Sequence, residues 1–176
     1  MTLIHTPRLE LLPATAELMR LEISDSFTLG MRLNAVVPKN WPPEEVKDVL
    51  EYFAAQMDAG VTGDGWGIYY WIALSDSGDP RTLVGSGGFM SKPSGESTVE
   101  IGYGTLTQFQ GRGYATEAVG GLVEFALSQE STLGIFADAL PENAASVRVL
   151  LKNGFLEVGE GGEQGTRRFE YQRVSE

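Results

Sequence analysis

A glycine-containing segment, Gln110–Ala115 (QGRGYA), lies between a strand-like run and an amphipathic helix. The run Ser97–Leu106 before it is rich in β-forming residues, and apolar residues after it recur at helical spacing. A strand that leads through such a turn into a helix leaves backbone N–H groups unpaired at the helix N-terminus, where they and the helix dipole attract an anion. Gly111 and Gly113 permit a positive φ angle and leave room for a phosphate. The segment therefore predicts a binding site for a phosphate-bearing ligand.

Two common phosphate-binding motifs do not match this segment. The Walker motif ends in Gly-Lys-Ser/Thr, and that tripeptide does not occur in the chain. The dinucleotide motif G-x-G-x-x-G requires a third glycine, and Thr116 stands at its position. The pattern that remains is Gln-x-x-Gly-x-Ala.

The elements predicted around this segment indicate a mixed α/β (α+β) fold with helices on both faces of a sheet, in a single domain over residues 1–176. The stretch Ser24–Asn40 has no regular apolar spacing and receives no assignment. Helices are predicted at Ala16–Ile23 with Thr15 as its cap, from Trp41 onward, at Tyr114–Ser128, and from Asn143 to a glycine stop at Asn153-Gly154. Strands are predicted at Arg8–Pro13, Trp66–Leu74, Thr82–Met90, Ser97–Leu106, Leu133–Ala139, Phe155–Gly159 and Arg167–Val174.

Composition and charge exclude several classes of function. The formal net charge of −11 argues against nucleic-acid binding, which requires a basic face. The longest apolar run, Ile68–Leu74, is too short to span a bilayer, and no signal peptide is expected at the N-terminus, so the cytoplasm is the default location. The chain has no cysteine and no cluster with metal-ligand spacing, and its one histidine, His5, is expected near a disordered start. The acidic balance favours a cationic acceptor such as an amine, or serves solubility alone.

The pattern Q/R-x-x-G-x-G/A resembles the coenzyme loop of the GNAT acetyltransferase superfamily. Four further segments are similar to the branch that contains ribosomal-protein N-terminal acetyltransferases, in the order and spacing expected of it. They are Thr6–Leu11 (TPRLEL), Glu100–Tyr103 (EIGY), Tyr114–Ala118 (YATEA) and Asn143–Phe155 (NAASVRVLLKNGF).

The resemblance implies the GNAT fold, a mostly antiparallel sheet of about seven strands that splays between the strands at 97–106 and 133–139. It implies acetyl-CoA as cosubstrate, with the pantetheine arm inserted at the splay and no metal. By resemblance, the backbone of Thr105, Leu106 and Thr107 binds that arm. The pyrophosphate is expected on the loop of Gln110, Gly111, Arg112, Gly113, Tyr114 and Ala115.

The start of the helix at 143–153 carries two further candidates. Asn143 is expected to contact the coenzyme arm, or to cap the helix, and the two roles are compatible. Ser146 is a candidate partner of the departing thiolate, or an ordinary serine of a first helical turn. Many GNAT enzymes place a tyrosine acid where this chain has Leu150, so that acid is missing here.

Glu100 is the candidate general base. It shares a strand face with Gly102 and Gly104, which leave room for an acceptor beside it. Its alternative role is an ion pair with an arginine. The branch usually has tryptophan at the position of Gly104, so its absence either opens the acceptor pocket or reflects local repacking.

The predicted function is an acetyl-CoA-dependent N-acetyltransferase that transfers the acetyl group directly to a primary amine, a protein N-terminus or a small-molecule amine. The segment Ser24–Gly65 is expected to wall the acceptor site. The alternative is a coenzyme-binding sensor or partner protein without turnover. Homodimers are common in the family, although no residue of this sequence indicates one.

Overall fold

The computed structural model describes residues 2–60, 65–75, 79–90, 93 and 97–172. Its described helices are α1 (Ala16–Ser24), α2 (Ser26–Leu33), α3 (Glu44–Asp58), α4 (Tyr114–Leu127) and α5 (Ala144–Lys152), with a 3₁₀ turn at Thr107–Phe109. Its described strands are β1 (Ile4–His5), β2 (Leu9–Pro13), β3 (Ile68–Ala73), β4 (Thr82–Phe89), β5 (Ser97–Thr105), β6 (Thr132–Ala139), β7 (Leu156–Glu160) and β8 (Arg167–Gln172).

These strands form one sheet in the order β1-β2-β3-β4-β5-β6-β8-β7. Neighbours are antiparallel except β5 and β6, which are parallel. The β5–β6 pairing begins at Ser97↔Thr132 and ends at Glu100↔Phe136, although both strands continue beyond it on their outer neighbours. The sheet therefore opens between β5 and β6 from Glu100 onward, as the predicted fold requires.

Both faces of the sheet are covered by helices, which confirms that prediction. In β3, Tyr69 and Trp71 pack in the cluster that contains α4, whereas Tyr70 and Ile72 pack in the cluster that contains α1 and α2. Alternate residues of a strand point to opposite faces, so a strand buried on both sides reads as a continuous apolar run. This is why the run at 68–74 stands out in the sequence.

Two elements differ from the predictions. The strand β1 is only two residues long and includes His5, which was expected near a disordered start but pairs with Glu10 of β2. The helix α2 lies within the unassigned stretch Ser24–Asn40, begins at a cap formed by Asp25, and ends at Asn34 in the left-handed conformation. Its apolar residues are split between buried and exposed faces, which hides the helical period.

Most other boundaries agree with the predictions to within two residues. Thr15 caps α1, because its hydroxyl accepts a hydrogen bond from the backbone N–H of Leu18 at 3.1 Å. The helix predicted from Trp41 onward begins at Glu44, three residues later, after Pro43. The predicted last strand ended at Val174, which lies outside the described residues.

Candidate functional site

The loop at 110–115 has the backbone geometry that an anion site requires. Gly111 and Gly113 have φ angles of 75° and 84°, in the left-handed region that favours glycine. Gly113 is the N-cap of α4 and supplies no side-chain hydrogen bond to the first helical turn. The N-terminal N–H groups of α4 therefore lack a side-chain cap, and they lie beside a cavity.

Arg8, which precedes β2, braces this loop. Its backbone N–H and its Nε donate to the carboxylate of Glu117 on α4, at 2.6 and 2.7 Å, and its Nη1 donates to the carbonyl of Arg112 at 3.0 Å. The hydroxyl of Thr6 donates to the same carboxylate at 2.6 Å. Burial raises the pKa of Glu117, but the hydrogen bonds from Thr6 and Arg8 outweigh burial and hold that pKa below its ordinary value. These hydrogen bonds fix the start of β2 against α4 and the glycine loop.

A cavity of about 500 Å³ lies between the end of β5, the glycine loop and α5. Eight of the twelve predicted site residues line it: Thr105, Gln110, Gly111, Gly113, Tyr114, Ala115, Asn143 and Ser146. Four do not line it: Glu100, Leu106, Thr107 and Arg112. The chain therefore brings most of the predicted coenzyme residues to one place.

The four residues outside the cavity lie around its rim or on another face. Leu106 is buried in the cluster beneath α1 and α2, and Thr107 begins the 3₁₀ turn. The guanidinium of Arg112 lies over the ring of Phe109, 5.5 Å from its centroid. Glu100 lies at the point where β5 and β6 separate.

Two polar groups at the end of β5 face the coenzyme side. The Thr105 hydroxyl is buried and lacks a hydrogen-bond partner in the described part of the chain. A buried hydroxyl left unpaired costs about 1–3 kcal/mol. The side-chain amide of Gln110 donates to the Thr105 carbonyl at 3.1 Å and so ties the loop to the strand.

The N-terminus of α5 closes the other side of the cavity. Asn143 caps the helix, since its Oδ1 accepts from the N–H of Ser146 at 3.1 Å, and its side chain still lines the cavity. The Tyr103 hydroxyl donates to the Ser146 carbonyl at 3.0 Å and thereby joins β5 to α5 across the splay. Burial raises the pKa of Tyr103, which keeps the phenol protonated. Tyr103 is a cavity residue that the sequence reasoning missed, although it lies in the EIGY segment.

Glu100 occupies a charged environment on the face opposite to α4. Its pKa is raised, first by partial burial and then by the negative charge of Asp138, while Arg168 acts in the opposite direction. Asp138 itself accepts two hydrogen bonds from Arg168, at 2.9 and 2.8 Å, and one from the N–H of Gly162 at 2.7 Å. The arginine therefore pairs with Asp138, and the pKa of Glu100 stays above its ordinary value.

The strand face that carries Glu100 is open at Gly104. A Cβ atom built on Gly104 would meet no atom within 4 Å, whereas one on Gly102 would lie 3.1 Å from the side chain of Met90. No described residue has repacked into the place where the related branch has tryptophan. The opening lies along the same strand face as Glu100.

Neither a metal centre nor a membrane span is found in the part of the chain that the structure describes. No group of three His, Cys, Asp or Glu side chains there could hold a metal ion. No described helix combines the length and the apolar character needed to cross a bilayer.

Comparison with known proteins gives consistent matches. The profile of the acetyltransferase (GNAT) domain matches residues 8–156. YjdG of Bacillus subtilis (strain 168), an uncharacterized N-acetyltransferase, is 28% identical over 157 residues, which cover 89% of this chain and 90% of YjdG. A putative ribosomal-protein-serine acetyltransferase from Vibrio cholerae has a similar fold, with a TM-score of 0.66 at 19% identity and coverage of 98% of each chain. The microcin C7 self-immunity acetyltransferase MccE, solved with acetyl-CoA and AMP, has a TM-score of 0.64 at 15% identity, over 95% of this chain and 93% of MccE.

Proposed function

This chain belongs to the GNAT acetyltransferase family and is an acyltransferase, and we propose that it transfers the acetyl group of acetyl-CoA directly to a primary amine. The amine is either a protein N-terminus or a small-molecule amine. The observation that carries the proposal is the cavity of about 500 Å³ in which the end of β5, the uncapped N-terminus of α4 and Asn143 meet. The acetyl-CoA present in the MccE structure supports the choice of cosubstrate.

The residues around the cavity suit the chemical groups of that cosubstrate. The uncapped α4 N-terminus beyond Gly113 offers N–H donors to a pyrophosphate. The backbone of Thr105 and the side-chain amide of Asn143, which both line the cavity, are the proposed hydrogen-bond partners of the polar groups of a pantetheine arm. The acetyl thioester supplies the electrophilic carbonyl, and a backbone N–H at the end of β5 is the proposed donor that polarises it.

Glu100 is proposed to accept the proton of the acceptor ammonium, directly or through water. The free amine then attacks the thioester carbonyl, so that a C–N bond forms, the C–S bond breaks and coenzyme A leaves as thiolate. The proton that the attacking nitrogen loses passes to that sulfur, so the products are the amide and the free thiol of coenzyme A. The Ser146 hydroxyl is the proposed hydrogen-bond partner of that thiolate. Glu100 lies where β5 and β6 separate, and Ser146 lines the cavity, so the acceptor and the thioester are proposed to meet at the splay.

The acceptor is proposed to approach on the face that carries Glu100 and the open space at Gly104. With 24 acidic and 13 basic residues, the chain attracts cations, which favours an ammonium group over an anionic acceptor.

Calorimetric titration with acetyl-CoA tests the coenzyme part of the proposal. We expect the wild type to bind and Gly113→Val to lose binding, because valine cannot adopt the φ of 84° at the loop without strain. Gly165→Val is the matched control, because Gly165 has a φ of 86° and lies outside the cavity. Loss of binding in both variants, or in neither, contradicts the assignment of the loop.

A screen of amines tests turnover. Release of coenzyme A can be followed with a thiol reagent, and the chain itself contributes no background because it contains no cysteine. Thiol release that depends on an added amine or N-terminal peptide supports the transferase. Tight coenzyme binding without turnover of any amine would instead indicate the sensor function.

A further inference from the structure

Two basic residues of the cavity lining and one of its glycine loop form no ion pair with another described residue. The chain contains 13 Lys and Arg against 24 Asp and Glu, so carboxylates outnumber cations in it. Six described arginines form ion pairs with Asp or Glu. Four basic side chains in the described ranges form none with another described residue: Lys39, Arg112, Arg148 and Lys152. Arg148 and Lys152 line the cavity, and Arg112 belongs to its glycine loop.

Arg148 and Lys152 lie where the cavity runs between α5 and the start of α4. They are four residues apart on α5 and therefore share a helical face. Just beyond Lys152, the side-chain amide of Asn153 donates to the carbonyl of Thr116 at 3.1 Å, which holds this end of α5 against the first turns of α4. Asn143, at the other end of α5, lies about 13 Å away along the helix axis, beside the end of β5.

The pair has an electrostatic cost that a bound anion would remove. Two like charges at positions i and i+4 of a helix repel each other, and no described carboxylate neutralises them. The pyrophosphate already has the N–H donors of the glycine loop. Coenzyme A carries a further phosphate, a monoester on the 3′ position of its ribose, with a charge of about −2.

We infer that Arg148 and Lys152 bind the 3′-phosphate monoester of coenzyme A, so that the protein selects the 3′-phosphorylated coenzyme over 3′-dephospho-coenzyme A. The inference rests on the proposed use of acetyl-CoA. The guanidinium fork of Arg148 suits two phosphate oxygens, and the ammonium of Lys152 adds a point charge beside it. The pair thus determines which form of the coenzyme is bound and leaves the acetyl-transfer chemistry unchanged.

The test is calorimetric binding of coenzyme A and of 3′-dephospho-coenzyme A. The wild type is expected to bind coenzyme A about 10- to 100-fold more tightly, the range of a few charge-assisted hydrogen bonds. The double variant Arg148→Gln/Lys152→Gln is expected to bind both forms with the affinity that the wild type has for the dephospho form. Each single variant is expected to lose part of the ratio. Both side chains are exposed, so the variants should fold, which a thermal melt without ligand verifies.

Lys39→Gln is the matched control. Lys39 is exposed, forms no ion pair with another described residue, and does not line the cavity. The variant should keep the wild-type ratio. Equal binding of both coenzyme forms by the wild type, or an unchanged ratio in the double variant, overturns the inference while leaving acetyl transfer intact. Failure of the wild type to bind either form would overturn the proposed function as well.

Discussion

Glu22 is a buried carboxylic acid in the core beneath α1, and its ionisation should control the pH dependence of stability. The residue is only 6% exposed. Its carboxylate accepts hydrogen bonds from the indole Nε1 of Trp41 at 2.9 Å and from the hydroxyl of Tyr70. Burial raises the pKa of Glu22 from 4.5 to about 7, although both hydrogen bonds act to lower it. The folded state therefore favours the protonated form of Glu22.

The sign and the size of the effect follow from that difference. Between pH 4.5 and about 7 the folded protein binds more protons at Glu22 than the unfolded chain does, so the free energy of unfolding falls as the pH rises. The whole transition corresponds to about 3 kcal/mol, of which about 2 kcal/mol lies between roughly pH 5.5 and 8. Stability from this group is thus fully present at low pH and is lost above about pH 7.

Glu22→Gln removes the ionisation and keeps a polar group of the same shape. Its carbonyl oxygen can accept from Trp41, and its amide can donate to the hydroxyl oxygen of Tyr70. Urea unfolding followed by fluorescence over roughly pH 5.5 to 8 should show the wild type losing about 2 kcal/mol relative to the variant. Glu17→Gln, an exposed substitution on the same helix, should run parallel to the wild type. Parallel curves for Glu22→Gln, or a wild type that gains relative stability with pH, would refute the reasoning.

Three further predictions concern the acceptor side. Glu100→Gln should lower the acetylation rate about 10²- to 10⁴-fold with unchanged affinity for acetyl-CoA, and a loss of less than about threefold would exclude the base role. Because Asp138 helps to raise the pKa of Glu100, Asp138→Asn should move the acidic limb of the kcat/KM–pH profile to lower pH. An acidic limb that does not move would show that Asp138 does not influence the group that titrates there. Gly104→Trp should raise the KM for bulky amines, because it fills space that is open in the wild type, and equal KM values would place the acceptor elsewhere.

The local elements could be predicted because their signals lie within a few residues. Gly111 and Gly113 indicated a turn of positive φ, and both adopt it. Thr15 and Asn143 indicated helix starts, and both accept the expected N–H hydrogen bond. The helix α2 escaped prediction because its eight residues contain apolar side chains on two faces.

The contacts that complete the candidate site could not be predicted in this way. Arg8 and Glu117 are separated by 109 residues, and Tyr103 reaches Ser146 across 43 residues. Propensity and periodicity describe neighbours along the chain and carry no information about which side chains meet after the sheet has formed. The resemblance to a family placed the segments but did not indicate these partners.

The sequence by itself determined most of the helices and strands, the glycine turn of positive φ at 110–115 and the family, because each depends on short segments of chain or on their spacing. The tertiary structure decided the hydrogen bonds of Arg8 to α4 and the position of Glu100 outside the cavity. It also placed Arg148 and Lys152 in the lining of the same cavity as the glycine loop. It also decided the burial of Glu22, which raises the pKa of that carboxyl, and the hydrogen bonds from Tyr70 and Trp41, which act to lower it. Charge interactions and burial depend on distance in space, and only the packed sheet and helices set those distances.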